Sequence, residues 1–242
     1  MSFSSDDMNK LQEYINRDPN ISSLFQKLLE AHEFELHKIC HEIRNPLTIL
    51  YSTLQLIESQ HPETKDFLYW DSLSNDIDYM LSLLKKLSEF NNSSNLTVQS
   101  FALRPFIEKL VLSFASSCAD SDIEFTSEVS TLPNICGDSV KLRQALLNLL
   151  KNAKESINGK GSIFFRAYCD YHSVFLDIRD TGCGIPKENL DKIFTPFLTT
   201  KSSGTGLGLP VSLKIIQAHH GTLSVDSVPG SGTTFRITLP IQ

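Results

Sequence analysis

At 242 residues the chain has room for one large core, or for a helical module followed by a domain of roughly 150 residues. Its 40% hydrophobic and 21% charged content is ordinary for a soluble protein, and a net charge of -6 without a basic stripe excludes a nucleic-acid partner from the expectations. No apolar run follows Met1, and none approaches the length of a membrane span. Cys40, Cys118, Cys136, Cys169 and Cys183 lack metal-site spacing and read as the reduced thiols of a cytoplasmic protein.

Residues 1–22 are polar and predict a tail or short helix. A long helix follows, because Leu36, Ile39, Ile43, Leu47, Leu50, Leu54 and Ile57 recur at steps of three and four and form one apolar stripe. Pro46 is expected to kink or loosen it locally, since proline removes an amide donor and clashes with the preceding turn. Residues 58–63, with Pro62, read as the connection to a second helix, whose stripe is Phe67, Trp70, Leu73, Ile77, Met80, Leu84 and Leu87. Two such helices cannot cover both stripes alone. The expected solution is a homodimer, in which two hairpins of residues 23–92 make a four-helix bundle.

The polar run Asn91-Asn92-Ser93-Ser94-Asn95 marks a boundary, and residues 96–242 form the second domain. There a strand near 96–98 and a helix over about 105–119 are expected, then a strand over Ile123–Val129. Asp138 is placed as the N-cap of a helix running to about residue 157 and stopped by Asn158-Gly159. Residues 162–168 and 174–179 read as neighbouring strands and 208–219 as a helix. Residues 223–225 and 233–239 read as closing strands around Pro229-Gly230-Ser231-Gly232. The sum is an α+β domain, one helical layer on one mixed sheet.

Chemistry concentrates in a few segments. His41 lies two positions from both Ile39 and Ile43, about 200° away on a helix, so its imidazole faces solvent. A neutral imidazole nitrogen can attack a γ-phosphoryl group, and Glu42 can take the proton or hold the tautomer. Asn45, one turn on, shares the His41 face and could orient a water or phosphoryl oxygen. An ordinary surface histidine explains the isolated segment equally well. The downstream residues shift that balance.

Asn148 and Asn152 stand at i and i+4 on one helix within the largely apolar run Leu146 to Ala153, where two carboxamides are costly unless they bind something. An asparagine oxygen can complete a Mg²⁺ shell made mostly of water and phosphate. Asp180-Thr181-Gly182-Cys183-Gly184 follows a strand, and its carboxylate can accept from a purine amine while the glycines admit the ring. Gly204-Thr205-Gly206-Leu207-Gly208 precedes a helix and offers amides to phosphate. It matches neither a P-loop nor a dinucleotide fingerprint. Between these segments, residues 191–203 read as a lid, with Phe194 and Phe197 docking it or joining the core and Lys201 reaching for phosphate.

These segments, His41-Glu42-Ile43-Arg44-Asn45-Pro46-Leu47-Thr48, Asn148 to Ala153, Asp180 to Pro186, Ile193 to Lys201 and Gly204 to Leu209, together resemble the catalytic portion of bacterial two-component sensor histidine kinases. The similarity is greatest to the nitrogen-regulatory and sporulation-kinase branch. It implies an all-α hairpin forming a dimeric four-helix bundle, followed by an α+β Bergerat-type ATP-binding sandwich. It further implies autophosphorylation of His41 from ATP and Mg²⁺, with Glu42 as base, and transfer to an aspartate of a response-regulator receiver domain. Asn45 would help hydrolyse the phosphoaspartate. Asn152 would hold Mg²⁺ with Asn148 supporting the phosphates, and Asp180 would recognise adenine. Gly182, Gly184, Lys201, Gly204, Gly206, Leu207 and Gly208 would line the pocket and lid.

Thr195 stands where the family usually has glutamate, and His220 where it often has glycine. A chain acting mainly as a response-regulator phosphatase, or as an ATP-binding phosphotransfer scaffold without autophosphorylation, would carry the same segments. Only about 30 residues precede the part that carries the resemblance, so either the stimulus is expected to arrive through a separate sensory protein or the chain is a fragment of a longer one.

Overall fold

The apolar steps of three and four wind Pro19–Gln60 into one 42-residue helix, α1. The computed structural model describes residues 19–199 and 204–241, and the chain parts after Asn92 into two compact units. Pro46 sits inside α1 without ending it. A 3₁₀ turn at Pro62–Asp66 reverses the chain, held by Thr64 Oγ1 donating to the His61 carbonyl at 2.7 Å and by Lys65 on Glu58 at 2.8 Å. Tyr69, at φ 72°, turns the backbone into α2, Trp70–Asn91. Cys40 on α1 and Ile77 on α2 are buried, yet Ile39, Ile43, Leu50, Leu73 and Met80 of the same two stripes remain 40–53% exposed. The hairpin thus covers only part of its own apolar surface.

The second unit runs β1 (Gln99–Ala102), α3 (Leu103–Cys118), β2 (Ile123–Val129), β3 (Asn134–Gly137), α4 (Ser139–Ser156), β4 (Gly161–Cys169), β5 (Ser173–Asp180), α5 (Lys187–Leu190), α6 (Gly208–Ala218), β6 (Thr222–Val228) and β7 (Gly232–Pro240). Five strands form a sheet in the order β2-β4-β5-β7-β6. The β2–β4 pair is parallel and the others antiparallel, the expected mixed sheet. Period-two alternation buries Ile163, Phe165 and Ala167 of β4, then Val174, Leu176 and Ile178 of β5, and α4, which packs on β5 and β7, buries Leu142, Leu146, Leu149 and Leu150. Each such fully buried aliphatic side chain contributes about 1.5–3 kcal/mol. The open face of the sheet is polar, with Arg236 of β7 donating two hydrogen bonds to Asp177 of β5, at 2.7 and 2.8 Å.

Three details depart from the sequence reading. The first strand is Gln99–Ala102 rather than 96–98, because the Thr97 amide donates to the Asp138 carboxylate at 2.9 Å instead of to a ladder. That strand pairs with β3, absent from the sequence reading, to form a separate two-stranded sheet. Finally, α3 starts at Leu103, two residues before Pro105, since a proline in the first turn forfeits no intrahelical bond.

Asp138 caps α4 as expected, its Oδ1 accepting from the Val140 and Lys141 amides at 3.0 Å each. Its own amide donates to His219 Nε2 at 2.9 Å. His219 Nδ1 lies 2.8 Å from the Ile215 carbonyl and must donate to it, which fixes the tautomer of this buried ring. Gly137 leaves the ring its space, for a Cβ there would stand 2.8 Å from His219 Cδ2. The next residue, His220, closes α6 in the left-handed region at φ 59°. Its amide bonds Gln217 and the Gly221 amide bonds Ile216, the pattern of a Schellman cap.

Candidate functional site

The side-chain parity of β5 delivers Asp180 to the buried side at the strand's C-terminal end, where it is 3% exposed. Its Oδ1 accepts from the Gly182 amide at 2.8 Å and from Ser156 Oγ at 3.0 Å, and the Thr233 amide donates to the same carboxylate. Burial pushes the carboxyl above its ordinary value, against the pull of these three donors. A carboxylate so placed is fixed in direction and poorly hydrated, which suits an acceptor for a ligand amine. Gly182 and Gly184 permit the approach. A Cβ on Gly182 would lie 2.7 Å from the Ser156 carbonyl oxygen, and one on Gly184, at φ 68°, would lie 2.2 Å from the Val228 carbonyl oxygen.

Ser156 and Thr233 were not among the sequence candidates. Ser156 had a readable signal: Asn148, Asn152 and Ser156 follow one another at i, i+4 and i+8 on α4, a polar stripe on one face. Thr233 offers only its backbone, which no side-chain pattern announces.

Asn148 and Asn152 are half-buried on α4. Asn148 Nδ2 donates to the Gly208 carbonyl at 3.3 Å, and Ser212 Oγ lies 3.0 Å from the same carbonyl and 3.2 Å from that of Ala145. These bonds tie the glycine-rich loop and the first turn of α6 to α4. Leu207 is buried and anchors the loop, while a Cβ on Gly208 would meet open space. The N-cap residue Leu207 makes no side-chain bond to the first amides of α6, which suits them to an anion. Gly206, at φ 65°, lets the loop backbone reach that of Phe197 and Leu198, whose N–H···O=C bond from Phe197 to Gly206 is 3.1 Å. Gly204 is half-buried at the start of the loop.

Phe194 is half-buried, whereas Phe197 is 59% exposed at φ 66° and belongs to no core. Lys201 lies outside the described residues. A cleft of about 860 Å³ along Phe114, Leu147, Lys151 and Lys154 shares no residue with the proposed nucleotide set, so volume is no guide to the site. Among the described residues no three His, Cys, Asp or Glu side chains gather to hold a metal. A carboxamide oxygen beside phosphates is a suitable partial shell for Mg²⁺, and Asn148 and Asn152 supply two such oxygens one turn apart on α4.

In the helical unit His41, Glu42 and Asn45 are all exposed on α1. Glu42 stands 3.8 Å from Lys38. The rings of His37 and His41 meet edge to face with centroids 4.6 Å apart. Among the described residues no helix is long and apolar enough to cross a membrane.

Known proteins share both units. A model of the His Kinase A (phospho-acceptor) domain matches residues 31–95, and one of the histidine kinase-, DNA gyrase B- and HSP90-like ATPase matches residues 137–242. The chain is 36% identical over 207 residues to the signal transduction histidine-protein kinase AtoS of Escherichia coli (strain K12), covering 84% of this chain and 34% of AtoS. Full-length ShkA in complex with AMPPNP aligns with a TM-score of 0.72 at 25% identity, over 86% of this chain and 45% of that one. Histidine kinase ThkA in complex with the response regulator protein TrrA aligns with a TM-score of 0.60 at 27% identity, over 85% and 60%. The chain therefore spans about a third of AtoS and under two thirds of either kinase in those structures.

Proposed function

The chain belongs to the histidine-kinase family, and on that footing we propose that it autophosphorylates on His41 from ATP and passes the group to an aspartate of a response-regulator receiver domain. The observation that carries the nucleotide half is the buried Asp180, aimed by Gly182, Ser156 and Thr233 beside glycines that a Cβ could not replace. Asp180 would accept from the adenine amine. Asn148, the loop of Gly204, Gly206 and Gly208 and the open amides of α6 would take the phosphates, with Lys201 joining from the lid. Asn152 would hold Mg²⁺, which when bound neutralises phosphate charge.

A lone pair on a His41 ring nitrogen then forms the N–P bond as the bond from the γ-phosphorus to the bridging oxygen of ADP breaks. Glu42 receives the displaced ring proton. The exposed Ile39, Ile43, Leu50, Leu73 and Met80 support a homodimer in which a second hairpin covers them, giving a four-helix bundle. The likeness to the ThkA–TrrA complex supports the receiver-domain partner.

Incubation of the purified chain with γ-labelled ATP and Mg²⁺ should give an acid-labile, alkali-stable label that His41→Gln lacks. Equal labelling of the variant would remove His41 from the role. Asn45, exposed one turn beyond His41, favours a second activity, dephosphorylation of the receiver. Asn45→Ala should spare autophosphorylation and slow that hydrolysis; unchanged hydrolysis would exclude it.

A further inference from the structure

His37 plays no part in the mechanism so far, yet it is the residue placed directly against His41. It sits one helical turn earlier on α1, half-buried, and the two rings meet at 67° with centroids 4.6 Å apart. On its other side Asn92 Nδ2 lies 3.2 Å from His37 Nδ1. An amide NH₂ can only donate, so Nδ1 accepts, which places the ring N–H on Nε2. Asn92 is the C-cap residue of α2 and is itself set by backbone bonds from its amide to Phe90 and Ser88. A short chain of contacts therefore runs from the end of α2 through His37 to His41.

An exposed histidine turns about a broad two-fold side-chain torsion, and phosphoryl transfer needs one ring nitrogen in line with the γ-phosphorus. A neighbouring ring held from behind narrows that torsion. An aliphatic residue at 37 would fill the same space between the helices but would anchor nothing.

We propose that His37 is a positioning residue for phosphorylation of His41, braced by Asn92; the role rests on His41 being the acceptor. The test uses the full chain and compares wild type with His37→Ala, His37→Phe, Asn92→Ala and the double alanine variant. Helix content by circular dichroism and ATP affinity are measured beside the initial rate of His41 labelling. His37→Ala and Asn92→Ala should each slow labelling roughly ten-fold, the scale of a modest misplacement, with ATP affinity unchanged.

The double variant should be no slower than His37→Ala, because Asn92 acts through His37. His37→Phe keeps a ring but no Nδ1 acceptor and should stay slow. A wild-type rate in His37→Ala, multiplying effects in the double variant, or full recovery by phenylalanine would each overturn the proposal. Nitrogen-15 spectra of the imidazoles give a readout independent of labelling. His37 should show the Nε2–H tautomer and lose it in Asn92→Ala, and the His41 signals should broaden or average in His37→Ala. Unlabelled wild-type protein would refute autophosphorylation, on which the proposal rests, whereas identical His41 signals in wild type and His37→Ala would refute the brace itself.

Discussion

Asp180→Asn separates what this carboxylate does for the fold from what it does for a ligand. Oδ1 already accepts from the Gly182 amide at 2.8 Å and Ser156 Oγ at 3.0 Å. An asparagine therefore faces a choice. Keeping its oxygen on Gly182 turns its NH₂ toward the purine amine, and the opposite rotamer turns the NH₂ into the Gly182 amide. In the first rotamer a buried acceptor becomes a donor facing the purine amine, at a cost of about 1–3 kcal/mol, which is a roughly 5- to 150-fold loss of ATP affinity at 1.4 kcal/mol per factor of ten; the second moves a cost of the same kind onto the fold.

The pH dependence of stability should favour the variant. Burial raises the Asp180 carboxyl in the folded state, so its contribution is complete below the ordinary carboxylate range and is lost as pH rises through the raised value, at about 1.4 kcal/mol per unit of displacement. The neutral amide escapes this loss. Nucleotide-free Asp180→Asn should gain on wild type as pH climbs from about 4 toward neutrality. Calorimetric titration with Mg-ATP and urea unfolding across pH 4–8 would measure both effects. Unchanged ATP affinity would refute the adenine role, and stability curves that stay parallel over the whole pH range would refute the account of burial.

Two further substitutions test the frame around the site. Asp138→Ala removes the acceptor of three amides, those of Thr97, Val140 and Lys141, and should cost about 2 kcal/mol in chemical unfolding; a loss under about 0.5 kcal/mol would show the cap to be idle. Burial works to raise this carboxyl, but the three amides and Lys141 together outweigh it and hold it below the ordinary value. Its contribution is thus present above the ordinary carboxylate range and disappears as pH falls through the lowered one. His220→Gly relieves a left-handed backbone that costs an L residue roughly 1–2 kcal/mol, less the roughly 0.5–1 kcal/mol of flexibility that glycine loses on folding. It should raise the melting temperature by about 2 °C, and no rise would mean that the His220 backbone is unstrained.

Legibility in the sequence followed the range of the forces involved. The hairpin and β4, β5 and β7 were readable because their apolar residues repeat with the period of one element, and the parity that buries Leu176 and Ile178 also carries Asp180 inward. The Asp138 cap was readable because it bonds two and three residues ahead. What stayed hidden was long-range or backbone-borne. The Asp138 carboxylate takes the Thr97 amide across 41 residues and so displaces the first strand. β3 is a four-residue strand that exists only through its pairing with β1. In the site, the residue types of Asn148, Asn152 and Asp180 announced a ligand. The Thr233 amide and the Asn148 to Gly208 bond depend on elements brought together by the fold. Phe197 read as an anchoring aromatic, but its backbone bond to Gly206 does the holding and leaves the ring in solvent.

The continuity of α1 has a mechanical side. After Pro19 the helix contains no proline or glycine as far as His41, and that stretch is about 33 Å long at roughly 1.5 Å per residue. Such a rod transmits torsion. A twist of about 10° at its upper end swings a side chain lying roughly 5–6 Å off the axis through about 1 Å. A shift of that size at a reacting nitrogen changes a transfer rate by about two orders of magnitude. Pro46 lies five residues below His41, where a missing amide softens the rod. Torque from above thus reaches the imidazole stiffly and is dissipated beyond it, so α1 behaves as a drive shaft whose compliant coupling sits just past its load.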